Sequence, residues 1–162
     1  MKKTNILKKP RKILFVCTGN ICRSPTADAL LRDALAAKGM LAEFAIDSAG
    51  VDSHHIGEKP DPRTREVAKR HGTDMDYLRA RNVAGEDFTE FDLILAMDRT
   101  HYERLTRTAP VGTRADIQLY LPYCGIRHLS EVPDPYYGAM KDFEFVYTLL
   151  KEATEGLVAK LL

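Results

Sequence analysis

No uninterrupted apolar run in the 162 residues extends beyond a few positions, far short of the ~20 needed to cross a bilayer. Ile13–Val16 is also too short for a signal-peptide core, so no membrane insertion and a cytoplasmic location are expected. Cysteine is scarce: three residues, an odd count without a secretory signal, argue against a disulfide framework and for a reducing compartment. The five histidines do not help them bind metal, because His54 and His55 are adjacent and the others scattered, with no zinc-type spacing. No metal or other cofactor is therefore expected. Charge of one sign is missing as well. Twenty-four Lys and Arg offset 23 Asp and Glu for a net +1, and no global field points to nucleic acid or to a membrane surface. No Pro/Gly/Ser-rich linker, composition shift, internal repeat or low-complexity segment divides the chain.

What is present suffices for one packed core, since 44% of the residues are hydrophobic. Residues 1–10, with Lys2, Lys3, Lys8 and Lys9, read as a solvated basic tail, and residues 11–162 as a single domain. Ile13–Cys17 is a continuous apolar run, the pattern of a strand buried on both faces. A helix is expected from Pro25 to about Lys38, with Ala27, Leu30, Leu31, Ala34 and Leu35 on one stripe and Gly39 ending it. Further strands are expected at Glu43–Asp47, Asp92–Met97 and Ala115–Leu119. Further helices are expected at Pro62–His71 and Arg99–Thr106, with a final one capped by Asp142. Alternating strands and helices imply right-handed crossovers: an α/β fold, one three-layer domain with a four-stranded parallel sheet covered on both faces. Ligands in such folds bind at the carboxyl ends of the strands.

Cys17 ends the first strand and opens Cys17-Thr18-Gly19-Asn20-Ile21-Cys22-Arg23-Ser24. Five residues between a cysteine and an arginine can curl so that backbone N–H groups converge, with the next helix adding its N-terminal partial charge and Arg23 a planar fork. Such a cradle fits phosphate, and its positive surroundings favour the thiolate of Cys17 as nucleophile. Gly19 permits close backbone approach, and Asn20 tolerates the left-handed conformation. Ser24 is placed either to cap the helix or to hydrogen-bond the Cys17 sulfur, with Pro25 at a favoured first-turn position. Cys22 sits beside Arg23, and closing the loop would bring two thiols toward one centre, so a reversible Cys17–Cys22 bridge under peroxide is an expectation. Cys124 reads as a structural thiol. Asp134, between Pro133 and Pro135, is a carboxylate on a stiffened loop whose flanking prolines supply no N–H groups.

The run Val16-Cys17-Thr18-Gly19-Asn20-Ile21-Cys22-Arg23-Ser24-Pro25-Thr26-Ala27 resembles the signature of low-molecular-weight protein tyrosine phosphatases. Asp47-Ser48-Ala49-Gly50, His55 to Arg63, Ala96-Met97-Asp98 and Val132-Pro133-Asp134-Pro135-Tyr136-Tyr137-Gly138 agree with it in order and spacing. The resemblance covers the chain from Arg11 onward. It implies a flavodoxin-like, phosphotyrosine phosphatase I-like fold and hydrolysis of phosphotyrosine and small aryl phosphates through a phosphocysteine. Cys17 would be the nucleophile, with Arg23 and the loop residues Thr18, Gly19, Asn20, Ile21, Cys22 and Ser24 around the phosphate and Asp134 as general acid and base. It further implies that Asn20 braces the loop, that Tyr136 and Tyr137 form one cleft wall, and that His54 stands on the opposite wall where many members carry an aromatic, often Trp. This sequence has no Trp. His71 is similar in placement to a loop-supporting histidine, although a helix C-terminus accounts for it equally well. Asp98 and Arg63 read as ion-pair residues rather than catalytic ones. The expected partner is a phosphotyrosine-containing protein, with a weak homodimer at most and no nucleic acid. Two other functions share the cradle, a thiol-dependent arsenate reductase and a non-catalytic phosphotyrosine-binding module. The first needs more cysteines than Tyr77–Phe91 offers, and the second would be expected to lack the nucleophile or the acid.

Overall fold

A computed structural model describes residues 8–162, leaving Lys2 and Lys3 of the basic stretch outside the described residues. Strand β1 (Lys12–Cys17) occupies the middle of the sheet, where Ile13, Leu14, Phe15 and Val16 are wholly buried. The order is β2-β1-β3-β4, with β2 at Ala45–Gly50, β3 at Leu93–Ala96 and β4 at Asp116–Leu119, and every pairing is parallel. Side chains alternate between the two faces. Ile13, Phe15, Cys17, Leu93 and Leu95 belong to the core shared with helices α1 (Arg23–Ala37), α2 (Pro62–Arg70) and α6 (Met140–Leu161). Leu14, Val16, Ile94 and Ala96 belong to the core shared with α3 (Asp87–Glu90) and α4 (Arg99–Thr108). The result is the expected three-layer α/β fold with a four-stranded parallel sheet.

From β1 the chain goes to β2 on one side and then returns across to β3 on the other. The carboxyl ends of β1 and β3 therefore flank the point where strand order reverses, the crevice in which such sheets bind ligands. Cys17 lies at one lip. Asp98 and α4 follow β3 at the other.

Several local expectations shift. The second strand starts at Ala45 rather than Glu43, because Leu41–Glu43 form a 3₁₀ turn and Phe44 N–H closes onto Leu41 O. It then runs on to Gly50, which pairs with Cys17. Helix α1 begins at Arg23, two residues earlier than expected, so Ser24 is inside its first turn and is not the cap, and Pro25 is its third residue. Asp142 is likewise inside α6, where its carboxylate accepts from Ala139 N–H at 2.7 Å. The short helices α3 and α5 (Tyr120–Tyr123) were not legible, as a single turn carries no periodicity. No helix among the described residues is long and apolar enough to cross a membrane.

Candidate active site

The loop after β1 is shaped by its neighbours' backbone. The carbonyls of Cys17, Thr18 and Ile21 accept from Val51, Asp52 and Asp61 N–H at 3.0, 2.9 and 2.8 Å. In a trans peptide the N–H points opposite to the C=O, so the amides of Thr18, Gly19 and Cys22 turn away from that outer scaffold. None of the three donates to a protein acceptor among the described residues. Asn20 makes the turn possible at φ 57. Its amide nitrogen donates to Ser24 Oγ and Ser48 Oγ at 2.8 and 2.9 Å, and its oxygen accepts from Arg81 N–H at 3.0 Å. Gly50 closes the packing, because a Cβ there would stand 2.6 Å from Thr18 O and 3.0 Å from Asn20 N.

Within this ring Cys17 Sγ lies 3.0 Å from Ser24 Oγ, at the N-terminal turn of α1, so the helix dipole and a hydroxyl both face the sulfur. Of the two roles open to Ser24, the structure selects the thiol contact. Arg23 is only 3% exposed. Its Nη1 donates to Asp98 Oδ2 at 2.8 Å and to Val132 O at 3.0 Å, and its Nη2 lies 3.3 Å from Thr18 Oγ1 and 3.7 Å from Asp134 Oδ2. Asp134 itself is about half exposed, and Tyr136 N–H donates to its Oδ1 at 3.1 Å. The prolines thus leave the carboxylate one backbone donor from two residues on, where none was expected.

An open cleft of about 410 Å³ covers these groups, lined by Cys17, Thr18, Gly19, Ile21, Cys22 and Arg23 below and by His54, His55, Asp134, Tyr136 and Tyr137 at the sides. Tyr136 and Tyr137 meet edge to face at 4.9 Å, and Arg63 stands over the Tyr136 ring at 5.5 Å while pairing with Asp61 at 2.9 Å. His55 faces Tyr136 at 6.3 Å and is held to Glu58 at 2.8 Å. Behind Arg23, Asp98 and His101 form a reciprocal cap on α4: Asp98 Oδ1 accepts His101 N–H at 3.1 Å, and Asp98 N–H donates to His101 Nδ1 at 3.2 Å. Burial, and next the positive charge of Arg23, push the His101 pKa down to about 4. Burial works to raise the Asp98 carboxyl, but His101 and Arg23 outweigh it and hold it below the usual carboxylate range. Burial also pushes the Cys22 thiol up to about 12, so Cys22 is a neutral thiol at pH 7.

The profile of the family described as low molecular weight phosphotyrosine protein phosphatase matches residues 12–162. A Bacillus subtilis protein, low molecular weight protein-tyrosine-phosphatase YfkJ, is 41% identical over 149 residues, covering 92% of this chain and 94% of its own. The crystal structure of an Entamoeba histolytica protein tyrosine phosphatase with Hepes in its active site superposes with a TM-score of 0.87 at 40% identity, covering 93% of this chain and 96% of that one. Vibrio vulnificus Wzb in complex with benzylphosphonate superposes at 0.81 with 33% identity, covering 94% and 99%.

The chain belongs to the low molecular weight protein-tyrosine-phosphatase family.

Low molecular weight phosphatases are hydrolases, and this member gathers the predicted residues Cys17, Thr18, Gly19, Ile21, Cys22, Arg23, His54, Asp134, Tyr136 and Tyr137 in one cleft. Asn20 and Ser24 brace the loop from beneath it. His54 is on the rim and exposed, whereas its neighbour His55, which sequence reasoning passed over, is the half-buried wall residue packed on Gly19. His71 does not support the loop: its ring stacks on Tyr147 at 4.6 Å and bonds Glu144 at 2.9 Å. Arg81, Ser48 and His101 do that work instead. Only His101 had a readable signal, the Asp98-x-x-His101 spacing after a strand, which is that of a reciprocal helix cap. Cys124, the remaining thiol, is buried, and burial raises its pKa further still. It offers no relay of the kind an arsenate reductase requires.

Proposed function

We propose that this phosphatase hydrolyses phosphotyrosine in protein substrates, and small aryl phosphates, with Cys17, Arg23 and Asp134 as its catalytic residues. The observation that carries the reading is the placement of Arg23 Nη2 3.7 Å from Asp134 Oδ2 over a loop that presents Cys17 Sγ and unspent amides to the same cleft. An aryl phosphate enters with its non-bridging oxygens on Arg23 and on the amides of Thr18, Gly19 and Cys22. The Cys17 thiolate attacks phosphorus, the P–O bond to the ring breaks, and protonated Asp134 delivers its proton to the departing phenolate. Water then gives a proton to the Asp134 carboxylate as it attacks the phosphocysteine. The S–P bond breaks, phosphate leaves and the thiolate is restored. Tyr136 and Tyr137 flank the ring on one side and His54 and His55 on the other. The benzylphosphonate complex of Wzb supports this reading, being a bound aryl phosphate analogue in a relative.

Asp134→Asn keeps the shape of the cleft but has no proton to give. Turnover of p-nitrophenyl phosphate is expected to fall by about 10²–10⁴-fold with little change in vanadate inhibition. Parent-like turnover in steady-state assays rules out Asp134 as the acid.

The same reading includes redox control. Peroxide oxidises the Cys17 thiolate to a sulfenic acid with release of water, and the Cys22 sulfur then displaces the sulfenyl oxygen, forming a disulfide and releasing a second water. Because burial keeps Cys22 protonated, the second step quickens as pH rises. Mass spectrometry after mild peroxide is expected to show a Cys17–Cys22 bridge that Cys22→Ser abolishes, and over-oxidised Cys17 without any bridge would refute it. Residues 11–162 constitute the phosphatase domain in this reading. The protein acts in the cytoplasm, consistent with three unpaired cysteines. Exposed Ile56 and Tyr137 supply apolar surface for a weak homodimer.

A further inference from the structure

Thr18 carries a hydroxyl in the phosphate loop that the reaction as described does not use. Its Oγ1 lies 2.8 Å from His101 Nε2 and 3.3 Å from Arg23 Nη2. His101 is 1% exposed and fixed at the first turn of α4. Its Nδ1 is 3.2 Å from both Asp98 N and Asp98 Oδ1. The amide hydrogen aimed at Nδ1 selects the neutral tautomer with its proton on Nε2, in keeping with an imidazole whose pKa lies far below neutrality. Nε2–H therefore donates to Thr18 Oγ1, which also accepts from Arg23. Asp98 holds the far side of the same guanidinium at 2.8 Å and caps the same histidine. A closed ring results: Asp98, His101, Thr18 and Arg23, each hydrogen-bonded to the next.

We infer that Thr18 and His101 are positioning residues that hold Arg23 in its phosphate-binding orientation through this ring. Arg23 needs such support on two sides. Asp98 and Val132 O hold only Nη1, and without Thr18 the one polar partner of Nη2 among the described residues is Asp134, on a half-exposed loop. A guanidinium free to swing toward Asp134 would bind that carboxylate at the expense of the phosphate. His101 is needed in turn because its donated hydrogen orients the threonine oxygen so that a lone pair meets Arg23.

The inference rests on Arg23 binding phosphate, and its test separates the two. The probe is inorganic vanadate as a competitive inhibitor of p-nitrophenyl phosphate hydrolysis by the full chain. If the parent neither hydrolyses the ester nor binds vanadate, the phosphatase assignment falls, and this inference with it. Given an active parent, Thr18→Val is expected to weaken vanadate inhibition and raise KM about tenfold, the scale of one hydrogen bond to a charged group. Thr18→Ser, which keeps the hydroxyl, restores both. His101→Asn is expected to weaken binding similarly, and the double variant Thr18→Val/His101→Asn no further than the worse single one, because both break one ring. Unchanged vanadate inhibition in Thr18→Val, failure of Thr18→Ser to restore it, or losses that multiply in the double variant would overturn the ring. Should Thr18→Val unfold, Thr18→Ser and His101→Asn decide, with parent-like inhibition in His101→Asn overturning it.

Discussion

Cys17→Ser is expected to abolish turnover, by on the order of 10⁴–10⁶-fold, the scale seen when a covalent nucleophile is removed. Binding of vanadate or phosphate is expected to persist. The exchange is nearly isosteric at a position that is 2% exposed. It leaves Arg23, the loop amides and Ser24 where they are, so the oxyanion still finds its donors. What disappears is the nucleophile, because a serine hydroxyl is a far weaker nucleophile than a cysteine sulfur, and among the described residues none hydrogen-bonded to position 17 is a base to take its proton. Ser24 offers only another hydroxyl, at 3.0 Å. Steady-state assays with p-nitrophenyl phosphate, and acid quench to trap a phosphoenzyme, check both halves. A variant that kept even about a hundredth of parent activity, with a phosphoenzyme still trapped, would mean the nucleophile is another residue.

Arg23→Lys is expected to be nearly as damaging, lowering kcat/KM by about 10³–10⁵-fold, the range attributed to an arginine that stabilises a phosphoryl transition state. The positive charge survives the exchange but the geometry does not. One ammonium cannot reach Asp98 Oδ2, Val132 O and Thr18 Oγ1 and still fork two phosphate oxygens. Lysine is the informative choice, since Arg23→Ala would also leave the Asp98 carboxylate beside an empty site, and breaking a buried pair in this way costs about 3–5 kcal/mol. Unlike Cys17→Ser, this variant is expected to lose vanadate binding together with turnover. If vanadate inhibited Arg23→Lys as it inhibits the parent, phosphate recognition would have to reside in the loop amides alone.

The layers of the fold were legible because two signals coincide. The continuous apolar run at Ile13–Val16 marks a strand covered on both faces, and Cys-x5-Arg follows it immediately. Of the three residues proposed as catalytic, Cys17 and Arg23 were legible in one short segment of unusual chemistry, whereas Asp134 drew its role from the family resemblance and not from its local Pro-Asp-Pro pattern. Supporting residues were harder to find. Arg81 acts on Asn20 through its backbone N–H, which any residue type other than proline supplies. Ser48 acts from β2 across a sheet register that no local pattern reveals. His71 and His101 illustrate the same limit from opposite sides. Both lie at helix ends, and only the three-dimensional path decides that the second reaches Thr18 while the first turns away to Glu144. Of the two roles the sequence left open for Ser24, the thiol contact prevails because the helix extends into the loop and takes Ser24 into its first turn.

The contact between Gly50 and the loop backbone has a thermodynamic consequence. Cys17 and Gly50 are register partners in the sheet, and the loop rests directly on the end of β2 with no room for a side chain between. Ordering the cradle is therefore part of pairing β1 with β2, completed during folding rather than at the moment of encounter. A ligand meets donors already immobilised and need not supply the free energy of freezing them. Whatever selectivity this phosphatase shows among esters must then arise above the cradle, where the walls and the incoming ring still have freedom to adjust.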